Sequence, residues 1–284
     1  MLSIVEMKIA VLMTCHNRKE TTLCCLESLA LENRVGVGQW KIDVFLVDDG
    51  STDGTREEVG ELSGSGSGSG SGNGNGNGRI HLIEGDGTLF WAKGMELAWR
   101  TALKEEKLHC PTPTQNSHYY DGFLWLNDDV ELNADALSKL EVEVGVGEER
   151  ILVGELVDEK GVVTYGKRGD LFAGNFVYVP RAVYEKLGMI CGDYAHAWAD
   201  SDYAMRAKRA GVRVVSCGIV GKCEGHPNRP SLKGLSLQRR WELLFDPKGW
   251  NLHDLWLYRR RNWGVHAAVV SCVHLVFHVM WGER

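Results

Sequence analysis

The 284-residue sequence predicts an α/β domain on a doubly wound, mostly parallel sheet with helices on both faces, followed by a helical C-terminal extension. Three observations point there. Apolar runs of strand length alternate with helix-length segments through the first half. The runs are rich in Val, Ile and Leu, as strands buried on both faces require. Turn-forming or acidic residues gather just beyond the end of each run.

The strand runs are residues 8–13, 42–47, 79–83, 122–126 and 151–156. The helix-like stretches between them are 19–31, 53–62, 93–106 and 134–144, with Asp53 expected to cap the second. Beyond residue 151 the pattern shortens to a hairpin near 158–161 and two helices, 181–187 and 198–210. Residues 63–78 read SGSGSGSGSGNGNGNG, the composition of a flexible linker, and fall between a helix and the third strand. They read as an insertion within domain 1–230, and the loop 108–121 reads as irregular.

Residues 231–284 differ in composition and form the extension. Tryptophan (10) outnumbers Tyr (8) and Phe (7) in the chain, and five of the ten, Trp241, Trp250, Trp256, Trp263 and Trp281, fall here beside Arg239, Arg240 and Arg259–Arg261. Residues 264–282 are mostly apolar, broken by His266, His274 and His278. Their length touches the lower limit for a membrane span. Two further readings stand beside a span: an element on an anionic membrane surface, giving peripheral membrane contact through 239–284, and a helix packed on the domain.

Composition narrows the function. Hydrophobic residues at 44% and charged residues at 25% are ordinary for a globular protein. A net charge of −6 removes any global attraction to nucleic acid, so no nucleic-acid partner is expected. Eight cysteines, two adjacent at 24 and 25, show no disulfide framework and suit a reducing compartment. The N-terminal residues lack the charged and apolar regions of a secretory signal, so a cytoplasmic location, peripheral on the membrane face, is expected.

In open parallel sheets, ligands bind beyond the C-terminal ends of the strands. The first strand leads into Thr14-Cys15-His16-Asn17-Arg18, the second into Asp48-Asp49-Gly50-Ser51, and the fourth into Asn127-Asp128-Asp129. Paired acids converging on one crevice are costly unless a cation neutralises them. Oxygen ligands favour Mg2+ or Mn2+, ions that keep water and also hold substrate phosphates. A nucleotide-diphosphate substrate follows. A dinucleotide fold does not, because Phe90 stands where the third glycine of G-x-G-x-x-G is needed after Gly85 and Gly87.

These blocks, together with Ala199-Asp200-Ser201-Asp202 and the following Arg206, resemble the family 2 glycosyltransferases of GT-A fold, most closely the rhamnosyltransferase and galactofuranosyltransferase branches. The resemblance covers residues 8–226. It implies a metal-dependent inverting transfer from a UDP-, dTDP- or GDP-linked sugar to a glycan or lipid-linked acceptor. It places Thr14, His16 and Asp49 at the nucleobase and ribose, with Asn17 beside them. Asp128 falls at the ribose or sugar, Asp129 on the metal, His226 completing the metal site, and Asp200 at the general base. Asn127 stands where the first acid of D-x-D is usual, and Ala199 replaces the acid before the base.

The residues themselves leave several readings open. Asp200 is a base or only a helix cap, and Asp202 an acceptor contact or an ion pair with Arg206 at i+4. Lys93 faces the diphosphate or solvent. Trp91 and Trp198 suit a sugar ring, whereas Trp125 alternates within a strand and reads as core. Gly174 and Asn175 fall at the acceptor pocket, with a bulge as the plain alternative. Cys217, Cys223 and His226 lack a fourth ligand for zinc. At the level of function, a non-catalytic nucleotide-sugar or glycan-binding relative and a sugar nucleotidyltransferase are the rivals.

Overall fold

The structure, a computed structural model, describes residues 7–35, 40–63, 79–109, 118–144, 149–225 and 229–282. The insertion expected at 63–78, the centre of the 108–121 loop and His226 lie wholly or mainly outside the described residues.

Four strands form the parallel half of the sheet: β1 (Met7–Cys15), β2 (Trp40–Asp48), β3 (Ile80–Glu84) and β4 (Gly122–Leu126). They lie in the order β3-β2-β1-β4, joined by α1 (Lys19–Val35), α2 (Thr55–Leu62) and α3 (Phe90–His109). Each strand run read from the sequence is there, within two residues at most ends. Asp53 is not the cap of α2: Gly54 holds that position, while Asp53 accepts from Thr55 N–H at 3.1 Å and from Lys19 N–H, at the start of α1, at 3.0 Å.

Past β4 the chain adds β5 (Glu131–Leu132), α4 (Ala136–Glu143), β6 (Arg150–Val157), β7 (Val163–Tyr165), β8 (Lys167–Arg168), β9 (Leu171–Phe172) and β10 (Phe176–Pro180). Then follow α5 (Arg181–Leu187), α6 (Ala199–Arg209) and β11 (Arg213–Lys222). Here the sheet becomes mixed. β10 runs antiparallel between β4 and β6, while β6 and β11 are parallel to each other. The short β10 run, Phe-Val-Tyr-Val-Pro, is apolar on both faces and so carries no sign of strand direction.

Alternation along β1 builds two cores. Ala10 and Leu12 face Trp99, Trp125 and Tyr203 on the α3–α6 side. Ile9, Val11 and Met13 face Cys25, Leu29 and Leu137 on the α1–α4 side. A third cluster joins Leu232, α7 (Leu237–Phe245) and α8 (Leu252–Trp281) through Leu243, Leu244, Leu255, Leu275 and Val279. α8 is broken at Gly264, whose φ of 86° and ψ of 176° leave the helical region. A side chain there would be strained, so glycine sets the break.

Candidate active site

A cleft of about 1150 Å³ opens where the strand ends point. It is lined by Thr14, His16 and Arg18 after β1, Asp49 after β2, Phe90 and Trp91 at the start of α3, and Asn127, Asp128 and Asp129 after β4. The opposite wall brings Arg168, Gly174, Asn175, His196, Trp198, Asp200, Arg229 and Lys248. Thus most residues singled out in the sequence meet in one cavity. Asn17, Lys93 and Asp202 do not line it. Lys93 is exposed. Asp202 is buried, with Arg206 Nε 3.5 Å from Oδ2 and Asn262 Nδ2 donating to Oδ1 at 3.1 Å, so the i+4 ion pair is the arrangement found.

The Asp49 carboxylate is committed to backbone. Oδ1 accepts from Gly87 N–H at 2.8 Å and Leu89 N–H at 3.2 Å, and Oδ2 from Phe90 N–H at 2.9 Å. These bonds fix the β3–α3 loop and hold Phe90 at a left-handed φ of 54°. They leave little of Asp49 to accept from a base. Asp49 O in turn lies 2.6 Å from His16 Nδ1. A carbonyl only accepts, so Nδ1 carries the proton, and Nε2 accepts from Asn17 Nδ2 at 3.2 Å. Asn17 itself, at φ 53°, joins the β1 and β2 loops through Ser51 and Thr52.

The Asn127 departure from an acid has a local partner. Its Oδ1 accepts from Trp91 Nε1 at 2.8 Å, and its backbone N–H donates to Asn175 O at 3.0 Å. Trp91 is thereby pinned edge-on to Trp125, which is fully buried core. Gly174 lies against the same indole: a Cβ there would meet Trp91 Cη2 at 2.5 Å.

Arg18, for which the sequence predicts no role, lies between the two acids after β4. Its Nη1 contacts Asp129 Oδ2 at 2.6 Å and Asp128 Oδ1 at 3.2 Å. Burial pushes the Asp128 carboxyl up to about 7 despite the Arg18 charge, with Asp129 adding to the rise. Cys223 donates to Asp129 Oδ1 at 3.5 Å, and burial with that carboxylate raises its thiol. A guanidinium set between two carboxylates supplies positive charge at this end of the cleft. Among the described residues, no trio of His, Cys, Asp or Glu side chains forms a ready cage.

Asp200 opens α6 on the other wall. Its Oδ2 accepts from Gly174 N–H at 3.2 Å and its Oδ1 from Ser201 N–H at 2.6 Å. Burial raises its carboxyl above the usual range, and these two N–H groups oppose the rise. Just before it, Trp198 adopts φ 70° and stacks on Tyr258 of α8 at 4.7 Å. The turn leading there is fastened by Asp254, fully buried in α8, whose carboxylate accepts from the N–H groups of Ala195, His196 and Ala197 at 3.1–3.2 Å. No local motif marks Arg168, Arg229, Lys248 or Asp254. They reach the cleft or its wall from segments far along the chain.

A family model described as Glycosyl transferase family 2 matches residues 10–206. No curated protein matches the sequence. The chain is similar in structure to the mannosyltransferase PcManGT from Pyrobaculum calidifontis, solved in complex with GDP-Man and Mn2+, at 16% identity and a TM-score of 0.52, covering 97% of this chain and 76% of that one. It is also similar to S. aureus TarS 1–349 in complex with UDP-GlcNAc, at 14% identity and a TM-score of 0.56, covering 98% and 84%. At such identities the likeness is one of fold, the mixed sheet with its flanking helices and C-terminal helix.

Proposed function

The chain belongs to glycosyl transferase family 2, and from that premise we propose that its cleft takes a nucleotide-diphosphate sugar and passes the sugar, with inversion, to a hydroxyl of a glycan or lipid-linked acceptor. The observation that carries the reading is the meeting of Asp128 and Asp129 with Asp200 in one cleft. The first two suit the donor, and Asp200 suits the reacting hydroxyl.

Asp129 would hold a divalent ion, Mn2+ or Mg2+, with His226 as a second proposed ligand, and Asp128 suits the ribose or sugar. When bound, that ion would supply positive charge to the departing diphosphate. Arg18, now on both acids, adds a second cation within reach. Two of the similar structures carry nucleotide sugars in their complexes, which supports the donor class. Thr14 and His16 suit the nucleoside, and Trp91 and Trp198 offer aromatic faces to sugar rings. Asp200 is the proposed base. Burial raises its carboxyl above the usual range, and a desolvated carboxylate is the stronger proton acceptor. It would remove the acceptor's proton as that oxygen attacks C1, with Gly174 and Asn175 shaping the acceptor side. The motif likeness to rhamnosyl- and galactofuranosyltransferases makes dTDP- and UDP-sugars the first donors to try.

The test is donor hydrolysis and transfer with UDP-, dTDP- and GDP-sugars and Mn2+ or Mg2+, the product anomer being read by NMR. Inverted product supports the reading, and absence of donor binding by calorimetry overturns it. Turnover by the native chain removes the non-catalytic alternative, and pyrophosphate release from a nucleoside triphosphate would favour the nucleotidyltransferase.

A further inference from the structure

We propose that the outward face of α8 beyond Gly264 docks in the plane of an anionic lipid bilayer. Val265, Val269, Val273, Phe277 and Trp281 recur every four residues and form one strip along the helix, widened by Val270. They are exposed, from 45% at Val269 to 65% at Phe277. A strip of six large apolar side chains on one helix exceeds the scattered exposure normal for a soluble surface.

Charge selects the occupant. The chain as a whole carries −6, yet from Leu255 to Gly282 there is no acidic residue and there are three arginines. Arg261 is engaged by Asp193. Arg260 is exposed, and Arg259 lies over the half-exposed Trp263 ring at 5.0 Å. Basic groups and a tryptophan therefore border the strip at Gly264, and Trp281 closes its far end. This is the pattern of a helix at a headgroup boundary, where anionic lipid attracts the arginines and the apolar face enters the acyl edge.

The same helix is disposed to lie along the membrane. A window within it reaches a mean hydropathy of 1.6. However, the stretch past Gly264 is shorter than the roughly 20 residues a span needs. Its other face is held by the body: Leu275 and Val279 pack with Leu243 and Leu244, and Arg240 donates to Val279 O at 3.2 Å and Gly282 O at 2.6 Å. The first half of α8 carries Asp254 and Tyr258, which fasten the cleft wall. One element thus joins the docking strip to the cleft. For its use, to meet an acceptor carried on a lipid, the proposal rests on the transferase reading. The docking itself does not.

The experiment is pelleting of the full chain with vesicles of phosphatidylcholine alone and of phosphatidylcholine with phosphatidylglycerol. The chain should pellet with the anionic vesicles and be released as salt rises. The double variant Val273→Glu, Phe277→Glu should lower the bound fraction about tenfold or more, with unchanged circular dichroism and melting. Arg260→Glu should weaken binding at low salt only. No pelleting of the native chain, or equal pelleting of the double variant, overturns the proposal. So does equal, salt-insensitive binding to phosphatidylcholine alone. A dimer in solution that the double variant dissolves would assign the strip to a second copy. Donor hydrolysis is measured without vesicles, so a failure of pelleting and a failure of the transferase reading are told apart.

Discussion

Arg18 Nη1 lies 2.6 Å from Asp129 Oδ2, 111 residues away in the chain, and the same nitrogen reaches Asp128. One side chain therefore bridges both acids at the end of β4. If the divalent ion proposed at Asp129 competes with the guanidinium, Arg18→Met should raise Mn2+ affinity several-fold in donor-free protein, read as free Mn2+ by electron paramagnetic resonance. A fall in affinity would mean that Arg18 instead orders the acids for the ion.

Asp128 gives a pH signature. Burial lifts its carboxyl from an ordinary 3.8 to about 7. Between those values the folded chain keeps a proton that the unfolded chain has released, so this group makes stability fall as pH rises from about 4 to about 7. Asp128→Asn removes that contribution. The gap in melting temperature between variant and native chain should grow in the variant's favour across this window. A gap constant with pH would refute the raised carboxyl.

For Asp49, the cost is structural first. Asp49→Asn keeps one acceptor oxygen and turns the other into a donor, orphaning one of the three loop N–H groups that Asp49 binds. A loss of about 1–3 kcal/mol is expected, measured by urea unfolding. Weaker donor binding should accompany it, since Phe90 and Trp91 follow that loop.

Asp200 and Asp202 should separate cleanly. Asp200→Asn is nearly isosteric and keeps an oxygen for Ser201 or Gly174, so turnover should drop about 10²–10⁴-fold while donor affinity by calorimetry holds. Asp202→Ala strips a buried carboxylate from Arg206 and Asn262. It should cost about 3 kcal/mol of stability and leave turnover per folded molecule unchanged. The reverse pattern would exchange their roles.

Gly174→Ala drives a methyl group toward Trp91 Cη2 at 2.5 Å. The indole must shift, and its bond to Asn127 lengthens or breaks. About 1–3 kcal/mol of overpacking and a change in tryptophan fluorescence are expected, with transfer reduced more than donor binding. Unchanged fluorescence would show that the backbone yields instead.

The parallel half was legible because β1 and β4 hold continuous apolar runs closed by polar residues and β2 one interrupted only at Asp43, and the helices between them fell within a few residues of their observed ends. The antiparallel insertion of β10 was not, since strand direction leaves no mark on an apolar pentapeptide. At the cleft, Asp128, Asp129 and Asp200 stood out because acids at strand and helix ends are conspicuous. Arg18 did not, because an arginine opening a helix reads as an ordinary solvated cation until the fold brings residue 128 beside it. Asp202 was ambiguous for the converse reason: its spacing fits either role, and only the packing shows its contact with Arg206.

The Asp254 carboxylate sets a limit on how far the chain can be trimmed. A cut near residue 230 looks harmless on composition, because the aromatic, basic tail begins there. Yet it would strip the acceptor from the backbone of Ala195, His196 and Ala197 and take the ring partner from Trp198. The remaining piece would retain every residue matched by the family while losing the brace beneath the turn that leads to Asp200. The tail is thus part of the cleft wall's foundation, and a shortened protein that folds but turns over slowly would be reporting a missing support rather than a missing reactive group.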